Sequence, residues 1–163
     1  MTTTYSVEPI APRVLKELRA ADDSGRPTAP FTDPGGGAPL RCCLDRSEPG
    51  ERIALVSYAP LRRWAAEQGV DPGAYDEVGP VFIHAEPCDG PAGVSLPFPG
   101  AHRTVRRYSA RGRILGGRLV GASDSFEEAL TAAFDDPAVA LVHVRAVEYG
   151  CFLYEVRREI AAV

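Results

Sequence analysis

No stretch of this chain is long and apolar enough to cross a bilayer as a helix: its longest apolar-rich runs, such as residues 78–85, fall far short of the ~20 residues a span needs. The opening Met1-Thr-Thr-Thr-Tyr-Ser-Val-Glu8 lacks the basic start and apolar core of a secretory leader, so a cytoplasmic protein is expected. Basic charge is scarce as well. Lys and Arg number 18 against 22 Asp and Glu, a net charge of -4, which speaks against a general nucleic-acid binder. Lysine is nearly missing, Lys16 being the only one, a bias that GC-rich coding explains more simply than a demand for guanidinium groups. The four cysteines Cys42, Cys43, Cys88 and Cys151 are expected to stay thiols in a reducing compartment, and adjacent Cys42 and Cys43 make an awkward disulfide because successive strand side chains point apart. Dinucleotide, flavin and ATP motifs are absent, so no cofactor is expected. Gly35-Gly-Gly37 lacks the preceding strand and following helix of a phosphate loop.

What is present reads as one ordinary globular domain over residues 1–163, with 45% hydrophobic and 25% charged residues. Residues 5–10 suggest a strand, and Pro12 opens a short amphipathic helix carrying Val14, Leu15 and Leu18. Residues 22–38 hold three prolines and four glycines and read as a long loop, either a lid over a pocket or a slack connector. Residues 40–45 and 52–58 flank Pro49-Gly50 and predict a hairpin. A helix over 61–68 with Trp64 and Ala65 inward, a buried strand over 78–86 and a hairpin over 104–120 with a bulge near Gly116-Gly117 follow. A polar cap and early acids start a helix at 123–134, bearing Phe126, Leu130 and Phe134, and Pro137 ends it before a final hairpin. The sum is an α+β fold: a mostly antiparallel sheet of about seven strands, open or curled toward a barrel, with about three short helices.

The segments Pro39-Leu-Arg-Cys-Cys-Leu44, Pro49-Gly-Glu51, Tyr75-Asp-Glu-Val-Gly-Pro-Val-Phe-Ile-His84 with Pro87-Cys88, and Gly150-Cys-Phe152 resemble the bacterial family called domain of unknown function 1203. The resemblance spans roughly residues 14–158 and implies no activity. Members often carry Pro-Cys-Arg where Pro39-Leu40-Arg41 stands here, so no thiol or metal role at Leu40 carries over.

Candidate chemistry gathers around the last hairpin. Alternation places Leu141, His143 and Arg145 on one strand face. Cys151 lies across a turn within 147–150, and its register decides whether it meets His143 or packs beneath the sheet. His143, Cys151 and Tyr149 are therefore the candidate catalytic residues, with Arg41, His84, Arg145 and Cys43 as candidate ligand-binding residues. Polar groups within apolar strands must pair or line a wet pocket. Arginine offers a fork for a carboxylate or phosphate, and histidine a proton carrier. Internal ion pairs with Asp45, Glu86, Glu148 or Glu155 are the plainer reading of the same residues. A metal site is not expected, because Cys-x2-Cys and His-x3-His pairs are lacking and Pro87 separates His84 from Cys88 at a strand end. The sequence thus favours binding of a small anionic metabolite, with cofactor-free acid/base chemistry such as isomerisation, elimination or cyclisation as its enzymatic form. The rival is an interaction protein, or a homo-oligomer, that uses the arginine-dense run from Arg103 to Arg118 or a sheet edge; neither nucleic acid nor membrane is an expected partner.

Overall fold

A computed structural model describes residues 4–93 and 95–159. Among them, three helices and eight strands form an α+β fold with two antiparallel sheets. The expected fold class is borne out, but the strands divide between two open sheets rather than curling into a barrel. No helix among the described residues is long and apolar enough to cross a membrane. The chain forms two compact units, one from Met1–Glu8, Leu61–Asp76 and Pro99–Val163, the other from Pro9–Pro60 and Glu77–Phe98.

The first unit holds a sheet of β1 (Tyr5–Glu8), β8 (Phe152–Arg158), β7 (Val139–Ala146), β5 (Arg103–Ser109) and β6 (Ile114–Val120), in that order. It stays open because β1 and β6 each have a strand on one side only. Its α3 (Phe126–Asp135) starts where the polar cluster predicts: the Ser125 hydroxyl accepts the Glu128 N–H at 3.2 Å, and Glu127 and Glu128 meet the positive end of the helix. The helix buries Leu130 and Phe134, and Tyr5 stacks on Phe134 with ring centroids 5.8 Å apart. From α2 (Pro60–Gln68), Leu61, Trp64 and Ala65 pack with Tyr108 of β5 and Leu141 of β7. Two helices and both faces of the central strands thus make the core, which is why β7 is buried over most of its length.

The second unit holds a three-stranded sheet, β2 (Phe31–Asp33), β3 (Glu51–Tyr58) and β4 (Gly79–His84), together with α1 (Pro12–Ala20). Strand alternation decides its buried face: Ala54, Val56, Val81 and Ile83 are buried, whereas Leu55 is 51% exposed. Helix α1 contributes Val14, Leu15 and Leu18. Each fully buried Leu or Ile of this core contributes on the order of 1.5–3 kcal/mol.

Two expectations are corrected here. Residues 22–38 are not loop throughout, since Phe31–Asp33 pairs with Ile53, Arg52 and Glu51 as β2. Residues 40–45 are not a strand paired to 52–58 but a tight turn. The Leu44 N–H reaches the Leu40 carbonyl, the Leu40 N–H reaches the Asp45 carbonyl, and Leu44 takes a positive φ of 57°. An apolar alternation mimics a strand in sequence, but the bridge between Pro39 and Arg46 closes the segment on itself.

Candidate functional site

Seven residues singled out from sequence fall in two places. His143, Arg145, Tyr149 and Cys151 belong to the first unit; Arg41, Cys43 and His84 belong to the second.

In the first unit, His143 stands directly opposite Glu155, and its Nε2 lies 3.0 Å from Glu155 Oε1. The ring is 1% exposed and lies edge-on to Tyr108 and Phe152, with centroids 4.9 and 5.0 Å away. Phe152 and Glu155 are three apart, a spacing that normally sends side chains to opposite faces. The register shift at Val144/Arg145 leaves Leu153 as an extra residue, and this bulge returns both to the His143 face. It is therefore Phe152, not Cys151, that meets the imidazole. Arg157 Nε binds the other Glu155 oxygen at 2.7 Å and its Nη1 reaches Glu67 at 3.1 Å. Burial pushes the Glu155 carboxyl up, but hydrogen bonding and charge from His143 and Arg157 outweigh it and hold the group below the ordinary carboxylate value. Arg145 Nη2 donates to the Gly150 carbonyl at 2.6 Å and ties the β7–β8 turn. Tyr149 on that turn is 89% exposed, and Cys151 Sγ lies 3.7 Å from the Tyr149 carbonyl.

The second unit assembles a different constellation. The 40–45 turn is pinned from two sides: the Arg41 N–H donates to the Phe82 carbonyl and the Ile10 N–H to the Arg41 carbonyl, at 2.9 and 3.0 Å. The buried Arg41 guanidinium turns back onto the Pro39 carbonyl. This lays Cys42 beside the end of β4, where the His84 N–H donates to its sulfur at 3.2 Å and His84 Nδ1 lies 3.3 Å from the same atom. Cys43 Sγ is 4.0 Å from Nδ1. Beyond β4 the chain turns at Pro87 and returns Cys88, so that Cys42 Sγ, Cys88 Sγ and a His84 ring nitrogen all lie within 4.8 Å of one another. Arg19 of α1 fastens this return, with Nε on the His84 carbonyl at 3.1 Å and Nη2 on the Glu86 carbonyl at 3.0 Å.

Behind the imidazole stands Glu51, two residues from Ile53, the strand partner of His84, and so diagonal to it on one face. Its Oε2 accepts the Glu48 N–H at 3.0 Å and lies 3.1 Å from His84 Nε2. The Glu48 N–H above all, and then His84, hold the Glu51 carboxyl below its ordinary value against the opposing pull of partial burial. An ionised carboxylate only accepts, so Nε2 carries the hydrogen, and Nδ1 is the ring nitrogen on the side of the sulfurs. The two adjacent thiols differ sharply. The hydrogen bond from Cys42, followed by the Asp45 backbone and His84 against the cost of burial, draws Cys43 down to about 6; donating that bond, together with burial, pushes Cys42 far up. All four cysteines are free thiols.

Cys42 and Cys88 also form part of the wall of a cleft of about 580 Å³, lined otherwise by Ile10, Pro12, Leu15, Lys16 and Arg19, with Pro87 and Asp89 at the return. Cys42, Cys88, Glu51, Lys16 and Arg19 were not among the residues singled out as a site. The one signal for the thiols was the adjacent pair with His84 and Cys88 four apart, which becomes meaningful only when a turn forty residues upstream docks on β4.

Fold and site together define an α+β protein with a cleft walled in part by two thiols, one of them in contact with the His84 imidazole. The chain belongs to the family described as Protein of unknown function (DUF1203), whose model matches residues 37–158, as the spaced segments suggested. No curated protein and no solved structure matches it. The matched span contains Cys42, Glu51, His84 and Cys88 but not α1, which supplies Lys16 and Arg19 to the cleft.

Proposed function

We propose that the protein binds a small organic anion in the cleft of the second unit. One observation carries the reading: an apolar recess of about 580 Å³ bears Lys16 and Arg19 on its helical wall and the sulfurs of Cys42 and Cys88 on another. Apolar walls with a few convergent polar groups are the usual anatomy of a small-molecule site. Ile10 and Leu15 suit the body of the ligand, and the cations outnumber the single carboxylate, Asp89, so they suit a carboxylate or phosphate. Cofactor-free acid/base turnover of the bound anion needs a proton carrier beside the cleft. His84, touching Cys42 of the wall and backed by Glu51, fits that need better than His143, which is enclosed between two rings. Arg41, with its guanidinium on Pro39, acts in this reading by holding the Cys42 turn rather than by touching the ligand. A thermal-shift series with small carboxylates and phosphates tests the proposal. A stabilising anion whose effect falls in Lys16→Ala is the expected result; an equal shift in both proteins would place the anion elsewhere.

A second reading has its own observation. Strand β6 is a sheet edge on which Leu115 and Leu119 are 42% and 64% exposed, the kind of edge that pairs with another strand. It predicts self-association that Leu119→Lys abolishes, read by light scattering across a concentration series.

A further inference from the structure

We infer that Cys42, His84 and Cys88 form a binding site for a borderline-soft divalent cation of the zinc class, held by three protein ligands with a fourth position toward the cleft. The inference goes beyond anion binding and stands on the donor set alone. Zinc–sulfur and zinc–nitrogen bonds of ~2.3 and ~2.0–2.1 Å in a tetrahedron put neighbouring donor atoms about 3.5–3.8 Å apart. Cys42 Sγ and His84 Nδ1 are 3.3 Å apart, and the three donors lie within 4.8 Å of one another, so a small rotation of the exposed Cys88 side chain closes the set.

Three independent features aim these groups. A histidine that ligates a metal through one nitrogen characteristically gives its other N–H to a carboxylate, which fixes the ring and its tautomer. His84 does this with Glu51 at 3.1 Å, on the side away from the sulfurs. The backbone N–H of His84 points at Cys42 Sγ, a donor suited to the thiolate that forms when a cation displaces the thiol proton. The loops carrying both sulfurs are braced, the first by Arg41 on Phe82 and the second by Arg19 on the carbonyls of His84 and Glu86. Two thiolates with a neutral imidazole match the preference of zinc and leave the double charge of the cation balanced. Because Cys42 and Cys88 line the cleft, the open position is placed where the cation can polarise a bound anion. The Nδ1 lone pair cannot hold a cation and carry a proton at once, so in the loaded protein the cation replaces His84 as the polarising group.

The test is titration of the reduced, metal-stripped full chain with Co²⁺, followed by displacement with Zn²⁺. One equivalent should bind with the thiolate-to-cobalt charge-transfer absorption and intense visible bands of a tetrahedral site, and Zn²⁺ should bleach them. Cys88→Ser, a change at an exposed residue that leaves the core intact, should remove most of the charge-transfer intensity. Glu51→Gln should keep one equivalent but weaken binding roughly 10–100-fold. Cys43→Ser should keep both stoichiometry and spectrum. Absence of tetrahedral bands in folded wild-type protein, or bands unchanged in Cys88→Ser, would overturn the inference, as would a Cys42–Cys88 disulfide in the protein isolated without oxidant. Because anion binding is read separately by thermal shift on metal-free protein, failure of either proposal leaves the other standing.

Discussion

Besides the exposed His102–Glu148 contact, the described residues hold two histidine–glutamate pairs of almost the same length, His143–Glu155 at 3.0 Å and His84–Glu51 at 3.1 Å, and they stand in opposite surroundings. In the first unit the imidazole is closed in by Tyr108 and Phe152, and both oxygens of its carboxylate are taken, one by His143 and the other by Arg157. In the second unit Nδ1 looks at two sulfurs beside a cleft, and its side chain keeps 19% exposure. The difference teaches that the pair itself does not mark a candidate site; what surrounds the ring does.

The comparison breaks most visibly through stability. Removing His143 takes one of two partners from a buried carboxylate and leaves a cavity between two rings, so His143→Ala should cost about 2–5 kcal/mol, read as a shift in urea midpoint. The matching His84→Ala should cost about 0–1 kcal/mol, because its pair is part-exposed and screened. Equal losses would erase the distinction. Acid sharpens it further. Folded Glu155 titrates below the 4.5 of an unperturbed glutamate, so its stabilisation is fully present above that value and lost as pH falls through the depressed folded value. Wild-type stability should therefore drop below pH 4.5, and Glu155→Gln should flatten that part of the curve even though it lowers the plateau.

Smaller effects are expected at the braces. Arg19→Ala removes two hydrogen bonds from a charged donor to the carbonyls of His84 and Glu86, which predicts a loss of ~1–3 kcal/mol and faster amide exchange over residues 84–88. Glu51→Gln should change stability least, by under about 1 kcal/mol, while changing ring orientation; the imidazole NMR signals of His84 should move and those of His143 stay.

Local chemistry made much of the fold legible. The Ser125 cap, the helical spacing of Val14, Leu15 and Leu18, and the alternation through His143 each act within a few residues and each appear as read. The 40–45 turn was not legible, because Leu-Arg-Cys-Cys-Leu carries a strand-like alternation and its positive φ falls on a leucine rather than a glycine. The site divided along the same line. That His143 and Arg145 share a face follows from period two, but the bulge at Leu153, which delivers Phe152 and Glu155 to that face, leaves no mark in the sequence. The Cys42–His84–Cys88 cluster depends on a turn docking against Phe82 and on a proline reversal, contacts that residue spacing does not encode.

The most direct measurement is calorimetric titration of Zn²⁺ into reduced, metal-free protein, comparing wild type with His84→Ala and His143→Ala at a temperature where circular dichroism shows all three folded. Chemistry centred on the second unit predicts one equivalent bound by wild type and by His143→Ala, and heat abolished in His84→Ala. Binding retained by His84→Ala and lost in His143→Ala would contradict the account.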